Sequence, residues 1–345
     1  MLKKSNKSEQ FQNRILAWFD RERRDLPWRK KGKRDPYRVW LAEIMLQQTQ
    51  VTAVIPYYLK FLERFPDIKT LAQAPLEEVL QAWAGLGYYS RGRNLHKCAR
   101  VIENEYAGAF PETEAGLLTL PGIGPYTAAA IAAIAFGGKA TVVDGNIERV
   151  LSRLFRVKKP LPKSKPDLKK LAASLTPDKR PGDYAEALMD LGATVCIPKN
   201  PRCEICPVED LCQGRAAGEE KLLPYREKKP PRPTRVGYIY WLENDGKVLV
   251  RRRPLKGLLG GMPEFPTTPW DNKFPGLLDH APANLNWQEC GSEITHTFTH
   301  FHLILKVFKG NGNGGSGDWV AKEKLMELGF PSVMKKVAEK VLSED

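Results

Sequence analysis

Residues 120–131 read LPGIGPYTAAAI, and this stretch decides the fold of the N-terminal part. Two glycines, Gly122 and Gly124, fall in a tight turn between a short predicted helix at 114–119 and a longer alanine-rich one. Glycine adopts backbone conformations closed to other residues, so the N–H groups of such a turn can approach a phosphate closely. The pattern predicts a helix-hairpin-helix that grips a DNA backbone, although a plain corner between two helices also uses glycine.

Helical signals continue on both sides of this hairpin, from about residue 11 to residue 211. Apolar side chains recur at helical spacing in 77–83, and 128–135 is rich in alanine. Proline residues separate these segments, and proline ends or interrupts helices. We therefore expect an all-α region over residues 1–213.

A charged, proline-rich segment at 214–234 predicts an extended linker. After it the apolar period changes to two, and Asn244-Asp245-Gly246 is typical of a hairpin turn between two strands. Another strand-like run covers 301–308, and an amphipathic helix covers 333–342. The sequence thus predicts a multidomain protein whose second domain, residues 235–345, is a small α+β fold.

The composition indicates a folded protein whose charge suits a polyanionic partner, either nucleic acid or an anionic membrane surface. The chain has 345 residues, 42% hydrophobic and 27% charged, which is typical of globular proteins and excludes a disordered or fibrous chain. The net charge of +14 favours a polyanionic partner. The longest apolar run, at 128–136, is too short to span a bilayer, and no secretory leader is apparent. We expect a soluble cytoplasmic protein without a membrane partner.

Four of the six cysteines crowd into one short loop, with the spacing C-x6-C-x2-C-x5-C. These are Cys196, Cys203, Cys206 and Cys212. Four thiolates on one loop suit an iron–sulfur cluster or a structural zinc. Zinc ribbons usually have two short cysteine knuckles, and only one is present here, so the spacing favours the cluster over zinc and over free thiols.

Glu43 is the only charged residue in the stretch VWLAEIMLQQT, residues 39–49. On a helix its neighbours three or four positions away are Val39, Trp40 and Leu46, so the carboxyl lies in an apolar stripe. Burial there favours the protonated form, as a general acid requires. A buried ion pair with a distant arginine is the alternative.

Asp144 precedes a predicted helix in TVVDGNIERV, residues 141–150, where it suits an N-cap. Backbone N–H donors at a helix start are expected to keep its carboxylate ionised. One neutral and one ionised carboxyl are the arrangement that cleaves a glycosidic bond through an oxocarbenium-like transition state.

Five motifs in order make the chain similar to the adenine DNA glycosylases of the helix-hairpin-helix superfamily. They are LAEIMLQQT at 41–49, GLGYYSR at 85–91, LPGIGPYT at 120–127, VDGN at 143–146 and the cysteine loop at 196–212. The resemblance covers nearly the whole chain. It implies a [4Fe–4S] cluster on the four cysteines and excision of adenine paired with 8-oxoguanine or guanine in double-stranded DNA, by a monomer in the bacterial cytoplasm and nucleoid.

The resemblance also assigns the chemistry. Glu43 would protonate a flipped-out adenine and later act as base, while Asp144 would stabilise the sugar cation or form a sugar ester. Tyr126 and Asn146 would hold Asp144. Related enzymes that form a Schiff base carry a lysine where this chain has Tyr126, so a monofunctional enzyme is implied.

The remaining implied residues contact the base or the DNA. Arg29 and Glu186 would line the adenine pocket. Gln48 and Tyr88 would wedge into the duplex, with Thr49 and Leu86 beside the oxidised guanine. The cations Arg91, Arg93 and Lys97 that follow are expected to contact phosphates, although a run of charges is usually a solvated face.

The C-terminal domain resembles the Nudix-like module of this family, but no acidic metal-binding helix follows its core motif. Pyrophosphatase activity is therefore not expected. The loop Phe298-Thr299-His300 would read 8-oxoguanine, with threonine where the family more often has serine. Two other hypotheses remain at this point: a glycosylase for thymine or uracil opposite guanine, and a catalytically silent DNA-binding protein with a redox-sensing cluster.

Overall fold

The structure is a computed structural model that describes residues 2–29, 34–227 and 230–344, without the side chains of residues 2–6 and 292. It divides into two compact units. Unit 1 comprises Met1–Ala74 and Asn94–Lys228, and unit 2 comprises Pro75–Arg93 and Lys229–Asp345. Residues 75–93, which precede the hairpin in sequence, therefore group with the C-terminal fold.

The regular elements of unit 1 are helices in the part of it that the structure describes, apart from one isolated β-bridge between Leu161 and Arg226. Its helices are α1 (Leu2–Glu22), α2 (Pro36–Leu46), α3 (Val51–Arg64), α4 (Ile68–Gln73), most of α6 (Ser90–Glu105), α7 (Glu114–Leu117), α8 (Pro125–Ile134), α9 (Gly145–Leu154), α10 (Lys165–Leu175), α11 (Pro181–Thr194) and α12 (Gln213–Ala216). Helix α5 (Leu76–Trp83) belongs to unit 2. The prediction of an all-α N-terminal region is confirmed.

Three of these helices, α2, α4 and α9, begin at aspartates that cap them. Asp35 accepts a hydrogen bond from the Tyr37 N–H at the start of α2, and Pro36 occupies the first helical position. Asp144 caps α9 by accepting from the Ile147 N–H. These caps fix where α2 and α9 begin, and so they fix the positions of the acidic side chains discussed below.

Helix α8 is buried on all sides, and its alanines allow its neighbours to pack closely. Close approach also requires glycine on α11. A Cβ on Gly182 would lie 2.5 Å from the Ala133 carbonyl oxygen, and a Cβ on Gly192 would lie 2.6 Å from the Asn146 Cβ. Only glycine lets α11 approach both α8 and α9 this closely.

Unit 2 contains a mixed sheet and a closing helix, as the α+β prediction requires. Its strands are β1 (Thr234–Asn244), β2 (Lys247–Arg252), β3 (Pro263–Glu264), β4 (Gln288–Thr297), β5 (His302–Asn311) and β6 (Asp318–Ala321). The order is β3-β2-β1-β5-β4, with β6 paired to β2, and β1 runs parallel to β5. Helix α13 (Ser332–Leu342) packs against β4.

The predicted hairpin between β1 and β2 is present. Asp245 and Gly246 have φ values of 47° and 72°, as a type I′ turn demands. Strands β3, β4 and β6 were not predicted, since their sequences lack a clear alternation. No helix within the described part of the chain has the length and apolar character needed to cross a membrane.

Candidate active site

Glu43 lies on α2 and is 8% exposed. Its Oε2 accepts a hydrogen bond of 2.8 Å from the Tyr126 hydroxyl on α8. Burial raises the pKa of the Glu43 carboxyl to about 7, and the hydrogen bond from Tyr126 opposes that rise. The apolar stripe predicted from the sequence is therefore real, and Glu43 can carry a proton near neutral pH.

Asp144, the N-cap of α9, accepts two hydrogen bonds. The Ile147 N–H donates to Oδ1 at 2.7 Å, and the Asn146 Nδ2 donates to Oδ2 at 2.8 Å. Burial nevertheless raises the pKa of Asp144, although these donors act to lower it. The N-cap hydrogen bond acts to lower the pKa of Asp144, as expected, but the effect of burial is larger and the pKa rises.

The structure corrects one expected contact. Tyr126 was assigned to hold Asp144, yet its hydroxyl donates to Glu43. The negative charges of Glu43 and Asp144 both act to raise the pKa of Tyr126, on top of the larger effect of burial. The phenol therefore lies near both acids but is bonded to the first, and Asn146 alone fulfils the expected role toward Asp144.

A cavity of about 410 Å³ opens beside Glu43. Its wall is formed by Arg24, Leu26, Trp28, Arg29, Val39, Ala42, Glu43, Leu46, Val51, Ile134, Glu186 and Met189. Arg29 and Glu186, which were expected to line a base pocket, are both in this wall. Trp28, aliphatic side chains and four charged groups thus line the cavity, and such a lining suits a ligand with apolar faces and polar edges.

Sequence reasoning missed the residue that holds Glu186. Arg34 donates from Nη1 and Nη2 to the two Glu186 oxygens, each at 2.9 Å, and Nη2 lies 3.3 Å from Asp183. A bidentate pair of this kind fixes the carboxylate in one orientation. The signal in the sequence was weak, since Arg34 is one of many cations in WRKKGKRDPY, residues 28–37.

The hairpin glycines differ from each other. Gly122 is exposed with φ 76°, and a Cβ there would lie 2.6 Å from the Asn94 Cβ, so only glycine fits. Gly124 has φ −94°, which any residue adopts, and nothing lies within 4 Å of the position of its Cβ. The expectation of special backbone freedom is thus correct for Gly122 and wrong for Gly124.

Two wedge candidates share an unusual backbone. Gln48 in unit 1 is exposed with φ 58°, and Tyr88 in unit 2 is 43% exposed with φ 46°. Left-handed conformations of non-glycine residues are uncommon and concentrate at functional sites. Thr49, beside Gln48, is half-buried.

Other residues of the GLGYYSR segment are interior. Leu86 is 6% exposed, so it has little surface to offer an oxidised guanine. Arg91 is also buried; it donates to the Leu86 and Gly87 carbonyls and lies over the Trp83 ring. Burial lowers the pKa of Arg91 to about 10. The expectation that Arg91 contacts a phosphate is wrong, because its guanidinium supports the loop from within.

Tyr88 and Thr299, which the sequence analysis placed in two different motifs, are in contact within unit 2. The Tyr88 hydroxyl lies 2.5 Å from the Thr299 Oγ1. Thr299 and His300 are exposed, whereas Phe298 packs against Trp270 and Phe301. Phe298 therefore anchors the loop 298–300 while its neighbours face solvent.

The four cysteines of the loop line one cavity of about 440 Å³, together with apolar side chains of α9 and α11. In the described part of the chain, no three potential ligands converge tightly enough to bind a single metal ion. A cluster takes its thiolates on different irons, and four cysteines around one cavity are compatible with such a group. Arg153 is 2% exposed and donates from Nη1 to the Cys196 sulfur at 3.2 Å, as a thiolate ligand would require.

Comparisons with known proteins agree with this geometry. A family model described as "HhH-GPD superfamily base excision DNA repair protein" matches residues 41–177. "NUDIX domain" matches 237–340, and "Iron-sulfur binding domain of endonuclease III" matches 196–212.

Curated relatives extend over both units. The adenine DNA glycosylase of Homo sapiens is 36% identical over 95% of this chain and 73% of the relative. The adenine DNA glycosylase of Buchnera aphidicola subsp. Baizongia pistaciae is 32% identical over 96% of each chain. A solved thermostable thymine-DNA glycosylase is 33% identical with a TM-score of 0.56, covering 62% of this chain and 98% of that one.

Fold and site together define a base-excision DNA N-glycosylase of the helix-hairpin-helix superfamily with an iron–sulfur binding loop. Identity of this level, over nearly the full length of the chain, defines the family more narrowly. The chain belongs to the adenine DNA glycosylases.

Proposed function

We propose that this protein removes adenine paired with 8-oxoguanine, or with guanine, from double-stranded DNA by hydrolysing the N-glycosidic bond. The observation that carries the proposal is Glu43, a buried carboxyl with a pKa of about 7 on the wall of a cavity that Arg29 and Glu186 also line. A general acid works best when its pKa lies near the working pH. The adenine glycosylases among the curated relatives support the choice of base.

In the proposed reaction the adenine leaves the base stack and enters the cavity. Glu43 donates its proton to N7, and the bond between C1′ and the base nitrogen breaks with its electrons going to the base. Asp144 lies close enough to influence the pKa of Glu43, and it stabilises the sugar cation or forms an ester at C1′. Water then attacks C1′, with Glu43 taking its proton, and where an ester has formed the bond between C1′ and Asp144 breaks and releases the carboxylate. Tyr126 offers no amine, so the DNA strand stays intact.

Arg29 and Glu186 would bind the edge of the adenine. The guanidinium carries donors and the carboxylate carries acceptors, which together match the acceptor nitrogens and the amino group of this base. Arg34 holds Glu186 for that purpose.

The opposite base would be read in unit 2. Thr299 has a hydroxyl that can exchange its contact with Tyr88 for one with 8-oxoguanine. Tyr88 and Gln48 are the proposed wedges, since an exposed aromatic or amide side chain replaces part of the lost stacking. Phe298 and His300 flank Thr299 in this loop.

The loop 196–212 is proposed to hold a [4Fe–4S] cluster, one cysteine per iron. When bound, the cluster supplies cross-links that fix a loop with little regular structure, and Arg153 and the apolar wall of the cavity receive it. The protein is proposed to act as a monomer. Its proposed location is the bacterial cytoplasm, on the DNA of the nucleoid. Broad visible absorbance with four irons per chain supports the cluster, whereas a colourless zinc protein contradicts it.

Single-turnover excision tests the proposal. Purified enzyme is mixed with duplexes that carry adenine opposite 8-oxoguanine, guanine or thymine, and a fourth duplex that carries thymine opposite guanine. We expect the fastest release from adenine opposite 8-oxoguanine and none with Glu43→Gln. Glu63→Gln, an exposed acid on α3, is the matched control and should keep full activity. Preferential release of thymine would contradict this proposal and indicate a glycosylase for thymine opposite guanine. That function is the second candidate, because a thymine-DNA glycosylase is among the similar solved structures.

A further inference from the structure

A buried carboxylate lies behind the wall of the base cavity. Asp190 on α11 is 0% exposed and is absent from the cavity lining. Its Oδ2 accepts from the Arg24 main-chain N–H at 3.0 Å and from the Arg29 Nη1 at 2.6 Å. Its Oδ1 accepts from the Arg24 Nε at 2.7 Å. One side chain thus anchors two arginines.

Both of these arginines face the cavity, beside Glu43 and Glu186. Glu186 and Asp190 are four residues apart on α11, so they share one face of the helix. Glu186 reaches the cavity, while Asp190 holds the guanidinium groups from the other side. An arginine fixed by a buried carboxylate presents its remaining donors in one direction.

Asp190 also balances charge in a region without solvent. Arg29 brings a positive charge close to Glu43, and Arg24 adds a second one to the same cavity wall. Asp190 pairs with both arginines, and Glu186 pairs with Arg29, so these carboxylates offset the two charges. The groups that act on the pKa of Glu43 are Tyr126 and Arg29, which lower it, and Asp144 and Glu186, which raise it. A less compensated Arg29 would draw the proton off Glu43.

We propose that Asp190 is a positioning residue for excision, which fixes Arg29 and Arg24 on the cavity wall and offsets their charge. The proposal rests on the proposed function. Asp190 touches neither the base nor the sugar, so its effect reaches the reaction through the arginines. Displacement of binding groups by about 1 Å can reduce a rate on the order of 10²-fold.

The test compares Asp190→Asn with the wild-type protein in single-turnover excision of adenine opposite 8-oxoguanine. Asparagine has the same shape but no charge, so we expect a rate lower by about 10²-fold and an alkaline fall in rate that begins at lower pH. Asp178→Asn, a surface acid paired with Lys139, is the control and should change neither. Duplex affinity is measured in the Glu43→Gln background, with and without Asp190→Asn, and we expect less than a threefold difference.

A merely structural role would give a different result. It would lower the melting temperature and the active fraction, while the active molecules kept the wild-type rate and pH profile; that outcome overturns the proposal. If Asp190→Asn does not fold, Asp190→Glu keeps the charge but shifts the anchor, and we expect a slower rate with an unmoved pH profile. A wild-type rate in that variant also overturns the proposal. An inactive wild-type protein would instead refute the proposed function.

Discussion

The raised pKa of Glu43 predicts how the free energy of unfolding of the DNA-free protein depends on pH. A folded-state pKa of about 7 against an ordinary value of 4.5 means that folding holds the proton more tightly than the unfolded chain does. Below pH 4.5 both states are protonated and Glu43 adds no cost. As the pH rises from 4.5 to 7, the unfolded chain releases its proton first, so the free energy of unfolding falls.

The size of the fall follows from the two pKa values. Each pH unit in that window costs about 1.4 kcal/mol, so the whole interval costs about 3 kcal/mol, and the cost is constant above pH 7. Glu43→Gln removes the titration but keeps the shape, and its side-chain oxygen can still accept from Tyr126. The variant should therefore match the wild-type protein near pH 4.5 and exceed its stability by up to about 3 kcal/mol at pH 7 and above.

Urea unfolding of the two proteins at several pH values between 4.5 and 8.5 measures this difference. Titrating groups that do not interact with Glu43 are common to both proteins, so they cancel when the curves are subtracted. Glu63→Gln, whose carboxyl is exposed on α3, should show no such pH-dependent gain. A difference between Glu43→Gln and wild type that stays the same across the range would refute a raised pKa at Glu43.

Four further outcomes follow from the contacts described above. The single-turnover excision rate should fall about tenfold per pH unit above about pH 7, as Glu43 loses its proton; a flat rate to pH 9 would exclude it as the acid. Tyr126→Phe removes a hydrogen bond that lowers the pKa of Glu43, so the same fall should begin at higher pH, and a shift to lower pH would contradict the assigned contact. Gly192→Ala should lower the free energy of unfolding, measured with urea, by about 1–3 kcal/mol, because the new Cβ clashes with the Asn146 Cβ. An unchanged urea midpoint would show that α9 and α11 can move apart without cost. Thr299→Ala should reduce the ratio of the excision rates of adenine opposite 8-oxoguanine and opposite guanine by about fivefold, which corresponds to the loss of one hydrogen bond. The same ratio in the variant and the wild type would show that Thr299 does not recognise 8-oxoguanine.

Local patterns predicted much of the molecule because the physics behind them is local. The hairpin turn at 244–246 follows from residues that tolerate positive φ, and the cap at Asp144 follows from a side chain that accepts from its own helix. The apolar neighbours of Glu43 are three and four residues away on one helix, so its burial could be read from the sequence.

The errors arose where a residue depends on distant parts of the chain. Tyr126 lies close to two acids, and only the packing of α8 against α2 decides that it bonds to Glu43. A different cause applies to Arg91, which looks like any surface cation in the sequence: the fold of its own loop buries it and places its guanidinium over the Trp83 ring. The short and irregular strands of unit 2 have no periodicity of their own and form only by pairing.

The amino-acid sequence alone was enough to predict the helical region, the α+β fold of the C-terminal domain, the cysteine loop and the two candidate catalytic acids. Helix period, turn residues and ligand spacing are all properties of a few consecutive residues. The tertiary structure decided which groups surround those acids. Asp190, Arg24 and Arg29 meet across more than 150 residues of chain, and the balance of their charges depends on distances that no stretch of sequence contains.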